Sequence, residues 1–200
     1  MLFGITQGGR FEDLRKESAK KIGAMELART DGSTGGFDGF GIGGSFDKKD
    51  MDTAVRWVNE ILPEEKPRHL LGIGDPRDLF GAIENGCDLF DCVAPTRIAR
   101  NGSLYTTRGI INITNARFVR DFTPIEPASS AGKSQCLCYT CQSFTRAYLA
   151  HLFRSHEILA NTLSSIHNLH FIIHLVKNIR IAILDDSFLS FKKAFLAKYK

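Results

Sequence analysis

The run Cys136-Leu137-Cys138-Tyr139-Thr140-Cys141 places three thiols within one short segment. Soft thiolates at this spacing suit three corners of a tetrahedral zinc site. A fourth ligand must come from elsewhere, and His151, His156, His167, His170 and His174 follow; residue type alone does not choose among them. The competing readings are a redox pair formed by Cys138 and Cys141, or buried inert thiols. A redox pair normally opens a helix after a strand. This trio is expected in a loop rich in Pro, Ser and Gly, so zinc is the preferred reading.

A second group of candidates lies at the ends of expected strands. Strands at Leu2–Thr6, Phe37–Ile42, His69–Ile73 and Asp88–Val93 alternate with helices at Phe11–Leu27 (apolar spacing Leu14, Ile22, Met25), Met51–Leu62 and Pro76 to about Asn85. Proline suits the first position of a helix, and Pro63 stops the one before it. This alternation implies parallel pairing with right-handed crossovers, an α/β class. The strands run into Gln7-Gly8-Gly9, Gly43-Gly44, Gly72-Ile73-Gly74-Asp75-Pro76 and Asp91-Cys92. In a parallel β/α array all such ends lie on one side, where barrel enzymes carry their sites. Asp91 reads either as a polar strand-end residue or as a catalytic carboxylate.

Composition restricts the classes. Two hundred residues with 43% apolar and 24% charged content suit a globular chain with a proper core. The net charge is only +4, but Cys92 to Arg120 carries Arg97, Arg100, Arg108, Arg117 and Arg120 with no acidic residue. Such a field fits phosphate or nucleic acid, or is a solvated face. The start lacks a basic leader, no apolar run reaches the roughly 18–20 residues of a membrane span, and an odd cysteine count does not suggest a secreted disulfide framework. The cytoplasm is the expected location. Beyond Asn101-Gly102, Ser103–Thr107 and Ile110–Thr114 alternate like a hairpin around Arg108-Gly109, and the chain is expected to be mostly helical from Ser143 onward. His167, His170 and His174 would share one helix face. Domain boundaries are expected at 125/126 and 170/171: a partial barrel, a zinc-binding subdomain and a C-terminal helical segment. Four parallel strands cannot close a barrel of eight, so the chain reads as half of something.

The segment Asp91-Cys92-Val93-Ala94-Pro95-Thr96-Arg97-Ile98-Ala99-Arg100-Asn101-Gly102 resembles the bacterial tRNA-guanine transglycosylases, or queuine tRNA-ribosyltransferases. Further likenesses, in family order, are Phe3-Gly4-Ile5-Thr6-Gln7-Gly8-Gly9, Gly41-Ile42-Gly43-Gly44, Gly72-Ile73-Gly74, the cysteine cluster with Tyr139, and Ile166-His167-Asn168-Leu169-His170. The resemblance implies the C-terminal half of an irregular (β/α)8 barrel with an inserted zinc subdomain. It implies Asp91 as the nucleophile, and Gln7, Gly43 and Gly44 as contacts to the base. RNA contacts would come from Gly72, Ile73, Gly74, Asp75, Pro76, Arg77 and Asp78, and from Thr96, Arg97, Ile98, Ala99 and Arg100. His167 would join Cys136, Cys138 and Cys141 on one structural zinc ion.

The activity so implied is exchange of the wobble guanine of GUN-anticodon tRNAs for queuine or 7-aminomethyl-7-deazaguanine, through a covalent Asp91–ribose intermediate, in a homodimer. The family's general acid/base aspartate belongs to the other half, so this chain by itself is expected to be inactive. The alternative is a truncated or non-catalytic tRNA-binding or dimerisation subunit that needs a partner half. Departures from the family pattern are Ser45-Phe46-Asp47-Lys48-Lys49 in place of Leu-Ala-Val-Gly-Glu, Ile98 where asparagine is common, and insertions at Asp31–Gly36 and Ser129–Ser134.

Overall fold

The computed structural model describes residues 1–28, 30–44, 50–128 and 134–200. The Ser45–Lys49 replacement and all of the second insertion except Ser134 lie outside the described residues. The chain divides into two compact units, Met1–Cys92 and Val93–Lys200. Neither expected boundary, at 125/126 or 170/171, coincides with that division, and the second falls inside one long helix.

In the first unit β1 (Phe3–Thr6), β4 (Gly39–Ile42), β5 (Arg68–Leu70) and β6 (Leu89–Phe90) form a parallel sheet in that order. Between them run α1 (Glu12–Gly23), α2 (Met51–Asn59) and α3 (Pro76–Glu84). β2 (Leu27–Ala28) and β3 (Thr34–Gly35) make a small antiparallel pair. That pair shortens the expected first helix and converts part of the Asp31–Gly36 loop into a strand.

Each helix is held by local signals. Glu12 and Asp13 open α1 and Lys20 and Lys21 close it, matching the helix dipole. Asp75 caps α3 by accepting from the Arg77 N–H at 3.0 Å, with Pro76 as the first helical residue.

Sheet register gives the two faces different fates. Phe40, Ile42 and Leu70 are fully buried, in one core with Ala19, Val55, Val58, Leu62 and Ala82 from the helical layer. On the opposite face Ile5, Gly41, His69 and Leu89 stand side by side. That face is open: Ile5 is 42% exposed, Leu71 37% and Leu89 44%. Helix α1 corrects an expectation. Its inward residues are Arg15, Ala19 and Ile22, while Leu14 and Met25 point to solvent. An arginine takes a core position because backbone carbonyls receive it.

The second unit holds α4 (Ala94–Ala99), the hairpin β7 (Ser103–Thr106) and β8 (Gly109–Asn112), a 3-10 turn at Ala116–Phe118, α5 (Tyr139–Ser143), α6 (Arg146–Arg154), α7 (Ile158–Leu184) and α8 (Phe188–Lys198). Its core joins Leu104, Ile113, Ile125, Leu149 and Leu163 with Cys138 and Cys141. Among the described residues no helix is long and apolar enough to cross a membrane.

Candidate active site and metal centre

The sheet brings Gln7, Gly43-Gly44, Gly72 and Asp91 to the ends of four neighbouring parallel strands. The Gln7 side chain lies over the Gly43-Gly44 backbone so closely that a Cβ on Gly43 would stand 2.8 Å from its Nε2, and one on Gly44 3.1 Å from its Oε1. A side chain at Gly43 would push the Gln7 amide aside, and Gly44, at φ +93, would strain any residue with a Cβ, so the two glycines leave an amide and bare backbone on one surface. The Gln7 backbone N–H, just past the end of β1, donates to Ser18 Oγ at 3.0 Å.

Arg15 organises this corner, and sequence reasoning missed it. Its side chain is wholly buried, with Nε donating to Gly9 O at 2.6 Å and a terminal nitrogen to Gly43 O at 3.1 Å. It thus ties the loop after β1 to the end of β4. Burial lowers the pKa of its guanidinium from the usual value, though charge-assisted bonds to two carbonyls still receive it. No periodicity signals such a residue, because arginine is among those least expected in a core.

Asp91 follows β6, with its side chain 61% exposed. Its Oδ1 accepts from the Gly72 N–H at 3.1 Å and lies 3.0 Å from His69 Nε2. Gly72 has φ +77, a left-handed conformation that ends β5 and is open to glycine without strain. Gly74 is needed for a different reason, since a Cβ there would meet the Cys92 Cβ. Further along, Pro76 is buried and Arg77 exposed at the head of α3. In the second unit α4 carries Thr96, Arg97, Ile98 and Ala99, with Arg100 at its end; Arg97 and Arg100 are exposed, Ala99 is buried, and Thr96 Oγ1 donates to Val93 O at 3.2 Å.

Cys136, Cys138, Cys141 and His167 form one cluster whose ligand atoms all lie within 4.8 Å of one another. Cys138 is not in a plain loop, as the sequence suggested. It caps α5, its sulfur accepting the Cys141 N–H at 3.3 Å, so the chain's tight turn points both sulfurs the same way. Opening a helix therefore no longer argues against a redox pair; the histidine does. Its Nδ1 lies 4.0, 3.5 and 3.3 Å from the sulfurs of Cys136, Cys138 and Cys141. Zinc bonds of about 2.3 Å to sulfur and 2.0 Å to nitrogen, arranged tetrahedrally, space these atoms about 3.5 Å apart.

Tautomer and charge agree with a cation site. His167 Nε2 faces the Tyr105 carbonyl at 2.8 Å, and a carbonyl can only accept, so Nε2 holds a proton and Nδ1 is the nitrogen turned to the sulfurs. Burial pushes the imidazole down, but contacts with the Cys136 and Cys138 sulfurs and the Tyr105 carbonyl outweigh it and raise it to about 9. The contact from Cys136 holds the Cys138 thiol well below its usual range, and the same neighbour pushes Cys141 up. Crowded sulfurs thus share negative charge beside a cationic ring, and a metal ion would take the ring's place as counter-charge. His170 and His174 stack on each other along α7, with ring centroids 5.7 Å apart, outside the cluster.

The next residue on α7 extends the influence of this centre. Asn168 is fully buried, accepts the Tyr105 N–H at 3.0 Å, and donates to Pro95 O at 2.9 Å and Ser103 O at 3.0 Å. His167 and Asn168 therefore hold β7 and the head of α4 together. Asn168→Ala should leave one donor and two acceptors unsatisfied and cost about 3 kcal/mol. Urea titration at fixed zinc would register the loss, and amide exchange at Tyr105 should accelerate more than at its strand neighbours.

The profile of the queuine tRNA-ribosyltransferase family matches residues 1–200, the whole of the chain. The chain belongs to this family. It is 43% identical over 201 residues to the queuine tRNA-ribosyltransferase of Pediococcus pentosaceus, covering 99% of this chain and 48% of that protein. Identity is 44% to the one from Lactococcus lactis subsp. lactis and 45% to the one from Thermoanaerobacter pseudethanolicus, with 48% and 49% of those proteins covered. The chain spans about half the length of the relatives it matches. For this family the cysteine–histidine cluster fits a metal-binding role through its own donor set and spacing.

Proposed function

We propose that this chain is the C-terminal part of a tRNA-guanine transglycosylase that exchanges the wobble guanine of GUN-anticodon tRNAs for queuine or 7-aminomethyl-7-deazaguanine. The observation that carries the reading is Asp91: an exposed carboxylate at a parallel strand end, held on one oxygen by the Gly72 N–H, inside a chain of this family. Asp91 attacks C1′ of the target nucleotide, the C1′–N9 bond breaks, and its electron pair leaves with guanine. The incoming base then attacks C1′ and expels the carboxylate, so two inversions give net retention. Gln7 and the bare backbone of Gly43-Gly44 bind the base edge; the loop Gly72–Asp78 and the segment Thr96–Arg100 meet the RNA. Zinc, held by Cys136, Cys138, Cys141 and His167, would serve structurally with all four positions filled by protein.

The half-barrel reading is supported by the open sheet face and by the strand edges at β1 and β6, which complementary strands would cover. The resemblance puts the general acid/base aspartate in the part of the relatives that this chain does not span. Cytoplasmic location and a homodimer are carried over with it. The same open face favours the second reading, a non-catalytic subunit that binds tRNA through a partner half. Incorporation of labelled guanine into tRNA decides between them. The chain by itself should show little or none, and addition of the N-terminal half of a relative should restore it. Tight tRNA binding that never leads to exchange would favour the subunit.

RNA contact has its own test. Neutralising Arg97 and Arg100 should weaken tRNA binding and reduce the slope of log affinity against log salt by about 0.7–0.9 for each phosphate that is no longer neutralised. An unchanged slope with binding intact would make these arginines a solvated surface. Arg117 and Arg120 provide comparisons outside the matched motif.

A further inference from the structure

Attack on ribose requires one oxygen of Asp91 to be presented while the other is held, and β5 supplies the holder. His69 pairs in register with Leu89, two residues before Asp91, so strand alternation puts both side chains on the open sheet face. His69 Nε2 lies 3.0 Å from Asp91 Oδ1, the same oxygen that accepts the Gly72 N–H at 3.1 Å. That nitrogen is buried and has no hydrogen-bond partner in line with it, the carboxylate standing to one side of its axis. A buried N–H requires an acceptor, and catalytic hydrogen bonds often straighten only when substrate binds. Neighbouring strands offer no rival: β4 places Gly41 beside His69, β6 places Leu89, and β1 places Ile5 beyond Gly41. The opposite tautomer would set a lone pair against a carboxylate.

We propose that His69 is the positioning residue of Asp91: it carries a proton on Nε2, fixes Oδ1 jointly with the Gly72 N–H, and leaves Oδ2 as the atom that bonds to C1′. The assignment of the attacking atom rests on the reading of Asp91 as nucleophile. In that step the Oδ2–C1′ bond forms as C1′–N9 breaks, and the His69 proton stays on its nitrogen.

Two measurements test the contact and the chemistry separately. In the 200-residue chain, labelled with 15N at histidine, long-range 1H–15N correlation at neutral pH should show His69 protonated at Nε2. In Asp91→Ala that signal should shift while those of the other five histidines stay in place. A His69 protonated only at Nδ1, or a signal unmoved by Asp91→Ala, overturns the proposal. In protein reconstituted with a relative's N-terminal half, His69→Phe should slow formation of the covalent RNA adduct roughly ten- to hundredfold, with KM for tRNA unchanged. His69→Gln, whose amide N–H reaches the same place, should recover most of the rate. Full-rate trapping in His69→Phe, or no recovery in His69→Gln, overturns the positioning role. A shifted His69 signal with no adduct in the parent protein overturns the nucleophile reading and the assignment of Oδ2, and leaves the contact standing.

Discussion

Cys138→Ser should strip the protein of metal and leave its second unit open to proteolysis. The parent chain should hold about one zinc per molecule, because four ligand atoms from two separate segments already lie within 4.8 Å of one another. Cys138 serves this centre three times over: it supplies a sulfur, caps α5 through the Cys141 N–H, and contacts His167 Nδ1 at 3.5 Å. Structural zinc sites of this type contribute about 10–16 kcal/mol of apparent binding energy that is coupled to folding. Its loss should therefore reach Leu149, Leu163 and Ile125, which share a core with Cys138 and Cys141. Metal content by mass spectrometry and limited proteolysis give the readout. His167→Ala should behave alike and His170→Ala should keep its zinc. Full zinc in Cys138→Ser or His167→Ala would sink the assignment, and equal loss in His170→Ala would point to the wrong histidine.

Asp91→Ala should abolish guanine exchange in the reconstituted protein, with a loss on the order of 10⁴- to 10⁶-fold, as for removal of other covalent nucleophiles. Binding of tRNA should persist, because the carboxylate is one small exposed group in a large interface. A trapped RNA–protein adduct should form in the parent and map to Asp91. If exchange continues undiminished without Asp91, another group attacks ribose and the strand-end carboxylate is only a polar terminus. The bond from Gly72 makes a second variant useful. Gly74→Val should drive its new side chain into Cys92 and displace the neighbouring Asp91, lowering exchange without removing any reacting atom.

Much of the framework was legible before the structure. The run Asp75-Pro76 marks the start of α3 because a carboxylate caps free N–H groups and proline fixes the first helical turn. The Ser103–Thr106 and Gly109–Asn112 strands fall close to where alternation put them. Other elements shifted. The strand expected at Asp88–Val93 is only Leu89–Phe90, and the helix expected to Leu27 stops at Gly23, since Leu27 pairs with Gly35. Such edges depend on which partner a backbone N–H finds, and local propensity does not contain that choice.

Residue types and spacing, by themselves, determined that three thiolates share a site, that parallel strands deliver polar ends to one side, and that Asp91 stands among motifs of one family. Those features are built from local signals: each motif or strand end is written within about a dozen residues, where turn chemistry and ligand spacing act. The tertiary structure decided that His167 sits where its Nδ1 meets three sulfurs, that Arg15 is buried between Gly9 and Gly43, and that His69 Nε2 stands 3.0 Å from the Asp91 oxygen that the Gly72 N–H holds. It also decided which sheet face is covered and which stays open. These are meetings between segments separated in sequence, set by strand register and by helix rotation: a shift of one residue sends a strand side chain to the other face and turns a helical one by about 100°.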